Sequence, residues 1–307
     1  MGSSIVASLL AAGHTVKAIA PLAGEQDLAA ERIKEQLLLC EKGALLTEPV
    51  ASYLNSLTIS DDYNSLNGCS LVVECIIEDI AIKEAVFKKI IAAVSKDTIL
   101  ASNTSAIPIS MLQAFIAYPE RFIGIHWAEP AFATRFLEII CGEKTAPQTA
   151  DWVFELAYQW GKEPTLLRKD IRGFITNRLM YSVYREALTL IESGYTTIED
   201  ADKAFRYDAG SWITLMGIFR RMDFMGLQDF PVIFNAIFPG LSNTGEVPAV
   251  VRELMNKDAR GTQNGKGFYN YTVEECGNWD KAFEAFNQDI YQLAVLYPSQ
   301  AVSPVLK

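Results

Sequence analysis

The chain has 307 residues, and half of them are hydrophobic. This length corresponds to about two domains of ~100–200 residues each, and the aromatic content of 11% provides material for a packed core, so a disordered protein is excluded. Lys and Arg total 27 against 37 Asp and Glu, which gives a net charge of −10. A general nucleic-acid binder is therefore not expected, because it needs a positive surface for the phosphates.

The cysteines and the apolar runs indicate the environment of the protein. Five cysteines, an odd number, contain no CxxC pair. They predict reduced thiols in a cytoplasmic protein, with neither a disulfide framework nor a metal site. No apolar run approaches the ~18–20 residues of a membrane helix, so we expect a soluble protein without a membrane partner.

Short apolar strands alternate with amphipathic helices in the first part of the chain. This alternation predicts an α/β fold with a doubly wound parallel sheet that helices cover on both faces. The predicted helices are 3–12, 26–40, 49–55 and 80–94, and the predicted strands are 16–20, 57–60, 70–75, 98–102, 121–126 and 136–140.

The pattern changes near Lys169, and only helical periodicity follows. We therefore predict two domains, an α/β domain over 1–169 and an all-helical domain over 170–307. The predicted helices of the second domain are 174–192, 198–205, 215–224, 249–256 and 279–296.

The glycine-rich turn that opens a doubly wound nucleotide-binding domain is incomplete. That turn normally joins the first strand to a helix, whose N-terminus binds a pyrophosphate. Here Gly2 leads directly into a helix, so we expect Gly2 at the third glycine position and the first strand to be missing. The alternative is an ordinary amphipathic N-terminal helix. Ala20 follows the next strand where an acid usually holds the ribose, which leaves the choice between NAD and NADP open.

A series of short motifs extends from residue 72 to residue 269. They are Val72-Val73-Glu74-Cys75-Ile76-Ile77-Glu78, Lys83, Ser102-Asn103-Thr104-Ser105, Gly124-Ile125-His126, Leu137-Glu138-Ile139-Ile140, Gly173-Phe174-Ile175-Thr176-Asn177-Arg178 and Asn264-Gly265-Lys266-Gly267-Phe268-Tyr269. In this order and spacing they resemble the 3-hydroxyacyl-CoA dehydrogenase family. The resemblance implies a Rossmann-type NAD-binding domain over 1–169 and a helical domain for substrate binding and dimerisation over 170–307. It also implies NAD as cofactor and oxidation of an (S)-3-hydroxyacyl-CoA to the 3-oxoacyl-CoA.

Oxidation of a secondary alcohol requires a base for the hydroxyl proton, and a neutral imidazole suits that task. His126 ends a strand at the edge of the sheet where substrates bind, and Glu138 on a later strand is suited to orient its ring. The resemblance assigns the family's catalytic pair to these two residues. A buried structural histidine and an exposed carboxylate are the alternatives. We expect His14 to be a structural turn residue.

Four further residues match binding positions of the family. Ser105 would contact the substrate oxygen and the nicotinamide, and Asn177 would position the substrate carbonyl. Glu78 and Lys83 would contact the cofactor. The alternatives are a helix cap made by Ser102 or Ser105, a solvent-facing Asn177 and a surface ion pair between Glu78 and Lys83.

Several positions bear on the substrate. Arg32 and Lys42 lie where the family has a helical hairpin that meets CoA, although a solvated helix face explains them equally well. Glu129 replaces a family asparagine beside the reaction centre, and we place it among the cofactor-binding residues. Arg172 and Arg220 add cations on the substrate side. These changes motivate a second hypothesis, a family member that oxidises a sugar acid, a polyol or a carnitine-like alcohol.

A third hypothesis is a catalytically silent structural paralogue. It is motivated by the missing first strand and by Ala20. We also expect a homodimer formed through the helical domain, since two-fold closure is the commonest assembly.

Overall fold

Strands and their covering helices occupy the first of two units into which the chain divides, Met1–Arg178 and Leu179–Lys307. The computed structural model describes residues 1–297. Within that range no helix is both long and apolar enough to cross a bilayer. The domain boundary after Lys169 stays a prediction.

The first unit contains every predicted strand and helix of the α/β part. Two elements were not predicted, the helix α6 and the strand β7, whereas the short helix α5 begins two residues after the start expected at Ile107. Proline at position 164 disfavours a strand, and β7 tolerates it as an edge strand. The elements are α1 Gly2–Ala11, β1 Val16–Ile19, α2 Glu25–Lys42, α3 Val50–Leu54, β2 Leu57–Ser60, β3 Leu71–Glu74, α4 Ile80–Ala93, β4 Ile99–Ser102, α5 Ile109–Leu112, β5 Phe122–Trp127, β6 Phe136–Cys141, α6 Pro147–Gln159 and β7 Glu163–Leu167.

The strands form two sheets. One contains the parallel pair β1 and β2, and the other has the order β3-β4-β5-β6-β7. Among residues 1–297 no strand joins β1 to β3. The prediction of a fully parallel sheet is wrong at one pair, because β5 and β6 are antiparallel. The connection over 128–135 is too short for a parallel crossover, which needs about a dozen residues.

Close packing of α5 fixes the position of β5. Every residue of β5 is buried, and its Gly124 faces α5. A Cβ atom at Gly124 would lie 2.7 Å from Cδ1 of Ile109, so glycine is what allows this approach. The strand that carries His126 is thereby held from below by a helix as well as by its neighbours β4 and β6.

Helices make up the second unit, and no strand follows β7 in the described part of the chain, as predicted. The first helix begins two residues later than predicted, because Phe174 has a left-handed φ of 51°. α10 was not predicted. The helices are α7 Thr176–Glu192, α8 Ile198–Tyr207, α9 Ala209–Met225, α10 Phe230–Ile237, α11 Ala249–Asn256 and α12 Val273–Leu296.

Candidate active site

His126 and Glu138 lie opposite each other on the antiparallel strands β5 and β6. Nδ1 of His126 is 2.7 Å from Oε2 of Glu138, and both side chains are buried. Because Nδ1 is engaged by the carboxylate, Nε2 is the nitrogen that remains for a substrate. The antiparallel pairing, which the sequence pattern did not predict, is what places the two side chains side by side.

The second oxygen of Glu138 is held by the chain that precedes and begins α7. Oε1 accepts hydrogen bonds from the backbone N–H groups of Ile175, at 3.0 Å, and Thr176, at 2.9 Å. Burial raises the pKa of Glu138, but the hydrogen bonds from His126 and Thr176 lower it by more, so the pKa lies below its usual value. Glu138 is therefore an ionised, immobile partner for the imidazole.

Two aromatic rings enclose the imidazole. Phe136 and Phe174 each contact His126 edge-on, and the centroid of each phenyl ring is 5.6 Å from that of the imidazole. Phe174 is fully buried and reaches this position through its left-handed backbone beside Gly173. The rings exclude water from one side of His126, which strengthens its interaction with Glu138.

Ser105 and Asn177 are brought together. Nδ2 of Asn177 donates to the backbone oxygen of Ser105 at 2.9 Å, and the side chain of Ser105 is exposed. One alternative was that Ser102 or Ser105 caps the helix that follows, α5, and neither residue does so. The N-cap residue of α5 is Pro108, and no side chain caps this helix. The hydroxyl of Thr104 accepts from the backbone N–H of Ile107 at 2.9 Å, in the turn that precedes the helix. Its neighbour Ser105 is left facing solvent.

Glu78 and Lys83 are close to the Ser105 loop, but they are not a surface pair. Lys83 is fully buried, with Nζ 2.8 Å from Oε1 of Glu74 and 3.4 Å from Oε2 of Glu78. Glu78 accepts hydrogen bonds from the hydroxyl of Thr104 and the N–H of Ser105. Burial raises the pKa of Glu78, but the Thr104 hydrogen bond and the Lys83 charge lower it by more. Sequence reasoning assigned no role to Glu74, although an acid ending a buried strand was a signal.

The N-terminus of α1 fits the phosphates of a dinucleotide. Gly2 opens α1, and a Cβ atom there would meet only Cys75, at 3.9 Å. The free N–H groups of this helix end suit a pyrophosphate, and Glu78 provides a half-exposed carboxylate near the end of β3. Glu129 lies at the same helix end, because its carboxylate is 2.7 Å from the amino group of Met1. Glu129 is thus close to the helix end that Gly2 opens, and the assignment of both residues to the cofactor site stays a prediction.

Arg32 and Lys42 are on the exposed face of α2. They share that helix with Lys34 and with five acids, so its formal charge is negative. This helix is therefore not a basic surface for phosphates. No described contact joins Arg32 to a residue of the His126 site.

Two adjoining stretches of the chain match one family. Residues 1–171 match the 3-hydroxyacyl-CoA dehydrogenase NAD binding domain, and residues 173–271 match the 3-hydroxyacyl-CoA dehydrogenase C-terminal domain. The chain belongs to the 3-hydroxyacyl-CoA dehydrogenase family. It is thus an NAD-dependent oxidoreductase with a Rossmann-type domain and a helical C-terminal domain.

Individual relatives of this dehydrogenase differ in substrate. The 5-formyl-3-hydroxy-2-methylpyridine 4-carboxylate 5-dehydrogenase of Mesorhizobium japonicum is 34% identical over 90% of this chain and 89% of that protein. A crystal structure of an enzyme of this name, called an NAD+ dependent dismutase, is 31% identical, covers 95% and 94% of the two chains and has a TM-score of 0.88. The (S)-3-hydroxybutyryl-CoA dehydrogenase of Ralstonia eutropha is 26% identical over 89% and 95%, with a TM-score of 0.73.

Proposed function

We propose that the dehydrogenase oxidises the secondary alcohol of an (S)-3-hydroxyacyl-CoA, with His126 as general base and Glu138 as its orienting partner. The observation that supports this most is the 2.7 Å contact between Nδ1 of His126 and Oε2 of Glu138, with the other carboxylate oxygen tied to two backbone N–H groups. This is the arrangement that fixes an imidazole in the tautomer of a base.

The proton path runs through one nitrogen. With the neutral ring carrying its proton on Nδ1, toward Glu138, Nε2 accepts the hydroxyl proton of the substrate. The imidazolium that forms is stabilised by the ionised carboxylate. NAD, when bound, supplies the hydride acceptor. We assign its phosphates to the helix end at Gly2 and its ribose to Glu78, with Lys83 supporting Glu78 from behind and Glu129 at the edge of the same site.

Ser105 and Asn177 complete the site as positioning groups. The exposed hydroxyl of Ser105 is assigned to the oxygen of the substrate, and Asn177 to its carbonyl group. The hydrogen bond from Asn177 to the backbone of Ser105 makes the two move as one unit. A shift of either residue therefore displaces the other.

A second candidate is a small substrate without CoA. Two observations favour it: the negative charge of α2, which carries Arg32 and Lys42, and the TM-score of 0.88 to the pyridine-carboxylate enzyme against 0.73 to the CoA-ester enzyme. The same residues suffice chemically. When an aldehyde is hydrated, His126 takes a hydroxyl proton of the hydrate, hydride leaves its carbon, and a carboxylic acid results.

NADH formation with a short substrate panel separates the two candidates. The panel contains (S)-3-hydroxybutyryl-CoA, free 3-hydroxybutyrate, 5-formyl-3-hydroxy-2-methylpyridine 4-carboxylate, and one sugar acid, one polyol and carnitine. Turnover of the CoA ester, with free 3-hydroxybutyrate inactive, supports the first candidate. Turnover of a CoA-free compound alone supports the second, and NADH formation with none of them contradicts both.

We infer that the dehydrogenase is a homodimer and that it works in the cytoplasm. Among the described residues after Arg178, Ala209 is the sole buried residue, while large apolar side chains such as Phe219 and Phe224 are exposed. A second copy of the chain would cover such a surface. The cytoplasmic location is supported by five cysteines that are all free.

A further inference from the structure

A buried ion pair lies behind the loops that follow β3 and β4. Glu74, the last residue of β3, and Lys83, in α4, have side chains that are 0% and 1% exposed. Their contact of 2.8 Å joins Oε1 of Glu74 to Nζ of Lys83. Two charges removed from water in this way are costly unless their remaining hydrogen-bonding groups are also satisfied.

Both oxygens of Glu74 have partners from different elements. Oε1 also accepts a hydrogen bond from the N–H of Ile76, at 2.6 Å. Oε2 accepts one from the hydroxyl of Ser102, the last residue of β4, at 2.6 Å. Glu74 therefore ties β3 and β4 to α4 and to the loop after β3 in a single fixed geometry.

Lys83, which Glu74 holds in place, also contacts Glu78. Its Nζ lies 3.4 Å from Oε2 of Glu78, while Oε1 of Glu78 accepts from the N–H groups of Ser105, at 3.1 Å, and Ala106, at 3.2 Å. The charges thus alternate in sign from Glu74 to Glu78. The chain of contacts ends on the loop that presents Ser105.

We propose that Glu74 is a positioning residue that, by holding Lys83, keeps Glu78 on the Ser105 loop in the geometry that binds the cofactor. This inference rests on the proposed function, which takes Glu78 and Ser105 as binding residues. Without the charge of Glu74, the ammonium group of Lys83 moves toward its remaining carboxylate, and Glu78 is drawn away from the N–H groups of the loop. The affinity for NAD falls more than kcat does, because the contacts of His126 with Glu138 are unchanged.

Glu74→Gln tests this, since it removes the charge and keeps the shape. We expect the Kd and the KM for NAD to rise by about tenfold, the size expected when a charge-assisted contact is lost, while kcat falls by less than about threefold. Glu84→Gln is the matched control, because Glu84 forms an exposed ion pair with Lys88 on the same helix. It should leave both constants unchanged.

The double variant Glu74→Gln/Lys83→Met separates positioning from stability. It leaves no unpaired buried charge, so its thermal stability should exceed that of Glu74→Gln. Its affinity for NAD should stay low, because Glu78 has lost the ionic contact with Lys83 that fixes its Oε2. Wild-type affinity in Glu74→Gln, or affinity that returns together with stability in the double variant, would overturn the proposal. NAD titration calorimetry needs no substrate, so its result is distinct from a failure of the proposed oxidation.

Discussion

At the scale of single residues, Glu138 decides which nitrogen of His126 carries the proton. Its oxygen Oε1 is already committed to the N–H groups of Ile175 and Thr176, and only Oε2 faces the ring. An amide at this position would keep its oxygen on the two N–H groups and turn its NH2 group toward Nδ1. The proton of the neutral ring would then sit on Nε2, where a base needs a lone pair.

Glu138→Gln should therefore lower kcat by roughly 10²–10⁴-fold with little change in the Kd for NAD. The measurement is steady-state NADH formation at saturating substrate, with calorimetry for the cofactor. Glu120→Gln, at an exposed carboxylate, is the control and should behave as wild type. Full activity in Glu138→Gln would exclude the orienting role.

The sequence pointed to His126 and Glu138 as a pair, but it did not predict the hydrogen bonds of the loops around them. His126 and Glu138 were found through motifs at the ends of apolar strands. Thr104 and Glu74 lie in other motifs of the same series. Their hydrogen-bond partners depend on how the loops after β3 and β4 pack against each other and against α4. Hydrogen bonds between Glu78 and the N–H groups of the Ser105 loop join residues 27 and 28 positions apart. No local spacing predicts such contacts.

At the scale of elements, a buried lysine holds the connection between β5 and β6. Nζ of Lys162 donates to the backbone oxygens of Ala131 and Thr134. From the other side, Ser4 in α1 accepts a hydrogen bond from the N–H of Ala131 at 2.6 Å. The strands that carry His126 and Glu138 are thus joined by a turn that is fixed at both faces.

Burial, together with the nearby charge of Arg135, lowers the pKa of Lys162 from 10.5 to about 7. Between these values the unfolded chain keeps a proton that the folded protein releases. The contribution of Lys162 to the free energy of unfolding should therefore rise with pH from about 7 to about 10.5. Urea unfolding at a series of pH values should give this slope for wild type and for the exposed control Lys96→Met, and a smaller slope for Lys162→Met. Equal slopes in all three would contradict the assignment.

Periodicity predicted the individual elements better than their arrangement. Most strands and helices of the first unit lie within two residues of their predicted ends. The direction of β6 was not predicted, because apolar alternation is the same in parallel and antiparallel strands. α6 shows one missed signal, proline at its first position, Pro147, which favours a helix start.

At the scale of the whole molecule, Ala209 is the one buried residue among those after Arg178 whose burial the structure describes. Phe219 and Phe224 on α9 are 79% and 75% exposed. We expect light scattering on the wild-type protein to give twice the chain mass of 34.0 kDa, because in the proposed dimer a second copy would cover these side chains.

The variant Phe219→Glu/Phe224→Glu should have the mass of one chain, since a charge there resists burial. Glu274→Gln is the control, because Glu274 is an exposed polar residue at the start of α12 and should leave the mass unchanged. A wild-type mass of a single chain would contradict the inferred dimer.

The most direct test of the proposed function uses the two histidines of the chain. NADH formation is followed for wild type, His126→Gln and His14→Gln, with whichever substrate of the panel is turned over. His14 accepts a hydrogen bond from Trp160 at 3.0 Å, and we expect it to be a structural residue. We expect His14→Gln to keep the wild-type kcat and His126→Gln to lower it by roughly 10²–10⁴-fold with unchanged affinity for NAD. Wild-type kcat in His126→Gln would contradict its role as the base.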